Sequence, residues 1–422
     1  MKKRLSKNNH NSFMRGYSMN NFTNNKKTQM IAAVVADNMD YVKKSKSYLS
    51  ESELKDKKYG RSYTVYIPDP GKVKDGLVAD PDSIDEIEME IKLENKNTSC
   101  EIDAWNELVD KESFRDEIAL PRGRKLAMSV QKDVIDNTIF QATQATVASA
   151  ANFAALSEAS NKLEEVAVGG TKVFFNSPTV NGKIAAGGLS NFIPDSIQKD
   201  IYGKNYLGEY ALASQITLAG MPVVTAGATA CTITGTAVKG EDAFSGTTIG
   251  YEPITEVTCA GGKKGEVFSV DGLKIVDVNG MPTDQDYNVI LASDADANNK
   301  CKVAPIRASL YATVSGTDFD NYNNPNAWFG TSFTGFDATP LLTSGASYYV
   351  GVCREEDALA FDTYKFADLP GSENSTETID GVSVKMSQYG DGKNMQALVR
   401  LDCPYAAGIP DARRQSVLYV KK

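Results

Sequence analysis

Histidine is nearly absent from this sequence, since His10 is the single histidine among 422 residues. Nucleophilic triads and dyads of the Ser-His-Asp and Cys-His kinds need a histidine base, and histidine is also a frequent zinc ligand. His10 lies in the polar segment KNNHNSFMRG, away from any catalytic pattern. We therefore predict no enzyme, no catalytic residue, no metal ligand and no cofactor. A hydrolase that works with carboxylates alone stays an alternative.

Paired cysteines and long apolar runs are also missing. No C-x-x-C motif occurs among the six cysteines, which are Cys100, Cys231, Cys259, Cys301, Cys353 and Cys403. This spacing argues against a zinc ribbon or a disulfide scaffold and predicts reduced, buried thiols. Without a run of about 18 apolar residues, no membrane span is expected. The N-terminal lysines precede no apolar segment, so we also expect no secretory signal.

Acidic residues are absent from residues 1–36, although the whole chain has a net charge of -9. The basic residues of this segment are Lys2, Lys3, Arg4, Lys7, Arg15, Lys26 and Lys27. It is either a solvated tail or an arm that contacts an anionic surface or a partner. One helix is expected from about Thr28 to Leu49. At 45.6 kDa the chain exceeds one ordinary core, which predicts two or three domains.

Two strand patterns follow this region. The segment SYTVYI, from Ser62 to Ile67, is β-branched and aromatic and ends at a proline. From Ile87 to Leu93, apolar residues alternate with charged ones, which predicts a strand with one apolar and one charged face. Together they predict a long extended hairpin. Such a hairpin is marginal alone, so we expect another surface to cover its apolar face.

Helical spacing dominates the next region, and strands return after it. A helix is expected from Pro121, and its buried face is formed by Leu126, Val130, Val134, Ile135 and Ile139. A second helix is expected to end at Gly169-Gly170. Segments TKVFF and QITLAGMPVVT predict buried strands and a glycine turn. From Ala226 to about Ser344, short strands recur every 8 to 12 residues, which predicts a separate small barrel or sandwich. A helix or turn is then expected at Glu355–Phe366, with three strands after it.

Four local motifs have ordinary interpretations. GGKKGE at Gly261 and GDGKNM at Gly390 do not fit the phosphate-loop pattern, so we interpret both as turns. The acidic run from Asp80 lacks the calcium-loop frame and is interpreted as a solvated or interface-facing surface. The aromatic segment WFGTSFTGF, from Trp328, is either core or a patch between subunits, and Trp105 is interpreted as core.

Five segments follow one another along the chain: TVYIPDP at Thr64, FFNSP at Phe174, LAGMPVVT at Leu218, KGEVFSVDGLKIVDVNG, and ALVRLDCPYAAGIPDARRQSVLYV with Arg400, Asp402 and Tyr405. These segments and their order resemble the major capsid proteins of tailed double-stranded DNA phages, with the HK97 fold, and more narrowly the P22-type coat proteins. They span roughly residues 60 to 422. Ala406 and Ala407 separate Tyr405 from Gly408 and depart from the family pattern.

The resemblance implies an α+β capsid fold with an inserted small β-barrel. Its expected parts are an N-terminal arm and helix at 1–55, an extended loop at 56–98, the first part of the P- and A-domains with the spine helix at 99–225, the barrel at 226–344, and the remaining A/P-domain with C-terminal strands at 345–422. Lys72 or Lys74 are candidate amines for a crosslink between subunits, which the P22-type branch lacks.

The implied function is self-assembly into pentamers and hexamers of an icosahedral head that encloses double-stranded DNA. Expected partners are other copies, a scaffolding protein, a portal and packaged DNA bound without sequence preference. The expected location is the virion, with assembly in the host cytoplasm and maturation from a procapsid. The alternatives are an encapsulin-like nanocompartment and a β-rich surface or adhesion protein.

Overall fold

The computed structural model describes residues 24–48, 62–68, 86–103, 114–186, 209–210, 212–227, 231–235, 240–241, 248–250, 254–279, 281–306, 312–314, 333–368, 370–391 and 396–422. They form a mixed helix-and-strand protein in which strands predominate, divided into two compact units. The first unit takes its described residues from Met1–Asn38, Asn95–Met128 and Thr363–Pro404. The second takes them from Met39–Glu94, Ser129–Asp362 and Tyr405–Lys422.

Three of the described helices lie where helical patterns predicted them, and the fourth, Pro178–Ala186, was not expected. They are α1 (Asn24–Asp37), α2 (Leu120–Thr138), α3 (Phe153–Glu165) and α4 (Pro178–Ala186). A π-helical turn, Arg115–Ala119, precedes α2. The five apolar residues that the sequence placed on the inner face of the helix expected from Pro121 are all buried. The expected helix at 28–49 is wrong in its length, because α1 ends at Asp37 and turns follow.

Helix α3 shows how local chemistry sets both ends of an element. The side chain of Asn152 accepts a hydrogen bond from the backbone N–H of Ala155 at 2.9 Å, which satisfies one of the unpaired donors of the first turn. The helix ends at Glu165, earlier than the Gly169-Gly170 pair indicated, because Ala167 already takes a left-handed conformation with φ 55°. Leu156, Ala159 and Leu163 lie on one face of the helix and are buried.

The first unit contains an antiparallel sheet of β19 (Glu373–Ile379), β20 (Val382–Asp391) and β21 (Gln396–Gly408), the last of which continues into the second unit. Asp380 and Gly381 both have positive φ, 49° and 77°, as a two-residue turn of type I′ requires. Helix α1 packs on β19 and β20 with Thr28, Ile31, Ala32, Val35 and Ala36 on its buried face. The spacing of these residues is that of one helix face.

The second unit contains a mixed sheet with the order β3-β22-β17-β4-β6-β5, and β7 also pairs with β17. Its strands are β3 (Gln144–Ala148), β4 (Lys172–Asn176), β5 (Glu209–Tyr210), β6 (Ala213–Thr217), β7 (Val223–Thr225), β17 (Ser347–Glu355) and β22 (Gln415–Lys421). The pairs β3–β22 and β4–β6 are parallel. We refer to this sheet as the platform sheet. Helix α3 covers β3 and β22, and Lys162 of that helix donates to the backbone O of Ala145 at 2.7 Å on the edge strand.

A second sheet of the same unit is antiparallel, with the order β13-β12-β16-β8-β11-β14 and β15 beside β12. Its strands are β8 (Cys231–Gly235), β11 (Ile254–Thr258), β12 (Val267–Val276), β13 (Pro282–Ile290), β14 (Lys300–Ile306), β15 (Ala312–Val314) and β16 (Phe333–Pro340); the short β9 (Gly240–Glu241) and β10 (Thr248–Gly250) pair separately. We refer to the seven-stranded sheet as the insert sheet. Leu291, directly after β13, bridges to Val303 of β14, so that bridge joins the two ends of the strand order.

Several local expectations need correction. Within the region of expected short strands, GEVFSVDG and LKIVDVN together form the single ten-residue strand β12. The segment Glu355–Phe366 is a 3-10 turn, Glu356–Ala358, followed by β18 (Ala360–Thr363). Where the chain after it is described, it forms four strands and not three. Ala406 and Ala407 continue β21 up to Gly408, so the chain turns only after that glycine.

Candidate functional site

The described hairpin consists of β1 (Ser62–Pro68) and β2 (Glu86–Asp103), paired antiparallel from Ser62 opposite Lys92 to Pro68 opposite Glu86. Tyr63 lies opposite Ile91, and these two side chains are 6% and 2% exposed. Glu90 and Lys92 on the other face are exposed. The predicted separation into an apolar and a charged face is therefore confirmed for this part of the hairpin.

The base of the hairpin is anchored in its own chain. Tyr63, Val65 and Ile91 pack with Ala360 and Ala406, and we refer to these five residues as the hairpin root. For these residues the expected covering surface belongs to the same chain, because the second unit already covers them. Gly408 lies close by, and a β-carbon at that position would lie 3.3 Å from the side chain of Ile91.

Asp362 accepts hydrogen bonds from two other segments of the chain at the hairpin root. Its carboxylate is buried and accepts from the hydroxyl of Tyr63 at 2.7 Å, the hydroxyl of Ser47 at 2.6 Å and the backbone N–H of Tyr48 at 3.3 Å. Burial raises the pKa of Tyr63 strongly, and the adjacent Asp362 charge raises it further. Three chain segments distant in sequence therefore meet at one carboxylate.

Tyr405 ties the hairpin to α2 within the same unit. Its hydroxyl lies 3.1 Å from a carboxylate oxygen of Glu94 and is also hydrogen-bonded to Asp133. A phenol has one hydrogen, so it donates to one of these carboxylates at a time. Burial raises the pKa of Tyr405, and the hydrogen bond to Asp133 acts in the same direction.

Arg354 holds the segment that leads to Ser47. Its side chain is fully buried, and its Nη2 donates to the backbone O of Tyr41 at 2.6 Å and of Lys44 at 3.0 Å. The guanidinium also lies over the rings of Tyr41 and Phe175, at 4.3 and 4.9 Å from their centroids. Burial lowers the pKa of Arg354. Its Nε and Nη1 reach no acceptor within the described ranges.

A buried ion pair joins the platform sheet to the insert sheet. Arg413 and Asp411 are 3% and 5% exposed and form two hydrogen bonds, of 3.0 and 2.8 Å. The same guanidinium donates to the backbone O of Asp277, which follows β12. Val278 N–H also donates to the backbone O of Val166 at 3.1 Å, and Val166 packs in the core of the insert sheet. Segments that flank the two sheets are therefore hydrogen-bonded to each other.

Sequence reasoning missed the roles of Asp362, Arg354 and Arg413. Arg400 and Asp402, which carried part of the family resemblance, pair with each other at 2.9 Å in the first unit, and Asn95 donates to Asp402 at 2.8 Å. The GGKKGE segment is a turn between β11 and β12, as predicted. His10, Lys72, Lys74, Trp105 and Trp328 lie outside the described residues.

Two negative findings apply to the residues with assigned structure. They contain no group of three or more His, Cys, Asp or Glu side chains placed to hold a metal ion. No helix among them is long and apolar enough to cross a membrane.

No protein-family model matches the sequence, and comparison with curated proteins found no match. Several solved structures are similar in backbone. The capsid of the cyanophage P-SCSP1u has 10% identity and a TM-score of 0.42 over 86% of this chain and 84% of its own. The mature capsid of bacteriophage PhiM1 has 9% identity and a TM-score of 0.41 over 89% of both chains.

An encapsulin complex from Synechococcus elongatus is similar as well, with 11% identity and a TM-score of 0.35 over 85% of this chain and 81% of its own.

Proposed function

We propose that the chain is the major capsid protein of a tailed double-stranded DNA phage, and that its copies form the pentamers and hexamers of an icosahedral head. The observation that carries this proposal is the hairpin β1–β2, which is firmly anchored at its root and has a charged outer face. The seven paired residues of each strand span about 20 Å, so part of the hairpin extends beyond the hairpin root.

A neighbouring subunit provides the remaining cover in this proposal. The apolar alternation of the root continues in the sequence at Ile67 and Ile87, which lie opposite each other in the register. Glu90 and Lys92 face solvent and are available for ion pairs across an interface. Interfaces in permanent assemblies bury about 2,000–5,000 Å², which an extended hairpin laid over a neighbour helps to supply.

The finer layout is part of the proposal. We assign the insert sheet to an inserted barrel of the P22-type, supported by its separate core and by the Leu291–Val303 bridge that joins its ends. Residues 1–55, 56–98, 99–225, 226–344 and 345–422 keep the roles expected from the sequence. Scaffolding protein, portal and packaged DNA are the proposed partners, and the virion is the proposed location.

Electron microscopy of the chain expressed alone, and with the genes that neighbour its own, tests the assembly. Closed shells, polyheads or spirals are expected. The variant Ile87→Glu should stay folded, with an unchanged melting temperature, yet fail to form particles. Thr64→Val, a change at an exposed residue on the opposite face, should assemble normally. A chain that stays monomeric under all conditions would favour the surface-protein alternative, and shells filled with protein would favour the nanocompartment.

A second experiment addresses the basic arm. Deletion of residues 1–23 removes the arm but leaves α1, whose Asn24 donates to Glu373 and whose Asn25 accepts from Ser375 at 2.9 Å. If the arm contacts scaffold or DNA, shells of the truncated chain should form with less of either one inside. Unchanged assembly and packaging would contradict that role.

A further inference from the structure

Three cysteines that are distant in sequence meet in the core of the insert sheet. Strands β8 and β11 pair through Thr232 opposite Thr258, and the next antiparallel position places Cys231 opposite Cys259. The two thiols are hydrogen-bonded to each other. Both side chains are buried, at 2% and 0% exposure. All six cysteines lie among the described residues, and none is in a disulfide.

The third thiol, Cys301, has a different position. Cys301 lies opposite Val257, so it is diagonal to Cys259 across the β11–β14 pair. Diagonal neighbours are about 7–8 Å apart, beyond the usual Cα separation of a disulfide, whereas directly opposite residues are within it. Cys301 and Cys259 both crowd Gly262, where a β-carbon would lie 2.9 and 3.0 Å from their sulfur atoms.

We propose that Cys231 and Cys259 are a redox-sensitive pair that forms a disulfide when a hydroperoxide reaches the insert sheet. Cys259 attacks the peroxide O–O bond through its sulfur and becomes a sulfenic acid, with release of water when the peroxide is hydrogen peroxide. Cys231 then attacks that sulfur, the S–S bond forms, and a second water leaves. Two thiols are oxidised and one peroxide is reduced to two waters, so atoms and electrons balance.

The surroundings of the three thiols assign the order of attack. The hydrogen bond from Cys231 lowers the pKa of Cys259, and one from Cys301 acts in the same direction. The hydrogen bond to Cys259 raises the pKa of Cys231, and burial raises that of Cys301 to about 12. Since the thiolate is the nucleophile, and Cys259 lies between the other two thiols in the strand order, we assign the first attack to Cys259.

The position of this pair gives the bond a structural consequence. Among the described residues, Thr232 and Thr258 are the single ladder pair that joins β8 to β11. A disulfide between Cys231 and Cys259, next to this pair, would link the ends of β8 and β11 covalently. It would also close the chain between residues 231 and 259 into a loop. Closing a loop of this length stabilises the folded state mainly by restricting the unfolded chain.

The test uses the purified full chain, so it does not depend on whether particles form. The chain is treated with hydrogen peroxide, denatured in N-ethylmaleimide and mapped by peptide mass spectrometry. We expect one linked peptide pair containing Cys231 and Cys259, while Cys301 is alkylated. The melting temperature of the oxidised chain should rise by roughly 5 °C or more.

Single variants provide the controls. After peroxide treatment, the Cys301→Ser variant should still form the disulfide, and its melting temperature should rise. The Cys231→Ser variant should show neither change. Alkylation of both Cys231 and Cys259 after peroxide treatment would overturn the proposal. Oxidation of the cysteines to separate sulfinic acids, or a disulfide between Cys259 and Cys301, would also overturn the proposal. A Cys231–Cys259 disulfide that forms without a rise in melting temperature would contradict its stabilising role.

Discussion

Replacing Tyr63 with phenylalanine removes one of the hydrogen bonds that Asp362 accepts at the hairpin root. The lost bond is 2.7 Å long and ends at a buried carboxylate, and hydrogen bonds to charged groups contribute about 1.5–3 kcal/mol. Ser47 and the backbone of Tyr48 still donate to that carboxylate, so the cost should lie at the lower end, about 1.5 kcal/mol. The ring of residue 63 keeps its packing.

The assay is native-state hydrogen exchange, because it reports the free energy of local opening. A cost of about 1.4 kcal/mol corresponds to a tenfold change in an equilibrium, so amides of residues 62–65 and 89–93 should exchange about tenfold faster in Tyr63→Phe. Amides of β22 should keep their protection. Thr64→Val, at an exposed position of the same strand, is the matched control and should leave exchange unchanged.

A double-mutant cycle with Ser47→Ala examines the shared carboxylate. Two donors to one acceptor should be coupled by about 0.5–3 kcal/mol, so the double variant should differ from the sum of the single ones. Equal protection of the hairpin in Tyr63→Phe and wild type would refute the reasoning about Asp362. So would a loss of protection spread evenly over the unit, since the root would then not be a local anchor.

Three further predictions concern the rest of the second unit. Gly351→Ala places a methyl group against the amide oxygen of Asn176 and should cost about 1–3 kcal/mol in thermal unfolding, whereas Gly182→Ala, with open space around it, should be neutral or slightly stabilising. Arg413→Met leaves the buried Asp411 carboxylate with only the more distant Arg414, whose Nε lies 3.8 Å away, and should cost about 3 kcal/mol in urea unfolding, much of it recovered when Asp411 is also replaced by alanine. The raised folded-state pKa of Tyr405 means that the unfolded state loses its proton first, so stability should fall as pH rises above about 10, and Tyr405→Phe should flatten that fall.

Much of the local structure could be predicted from the sequence because backbone periodicity is a local property. The alternation from Ile87 to Leu93 identified β2, and helical spacing from Leu126 identified α2. A further signal went unused: Asp380-Gly381 between alternating residues is a typical two-residue hairpin turn. The single histidine likewise limits the possible chemistry through composition alone.

Tertiary structure alone decided which distant segments meet. Nothing near Asp362 in the sequence indicates that Tyr63 and Ser47 donate to it, because the three residues come from separate segments. The same holds for Cys231, Cys259 and Cys301, which are widely spaced in the sequence and are brought together only by strand pairing. Local pattern depends on dihedral preference and side-chain period, whereas these sites depend on non-local pairing in the sheets, which the sequence pattern does not specify.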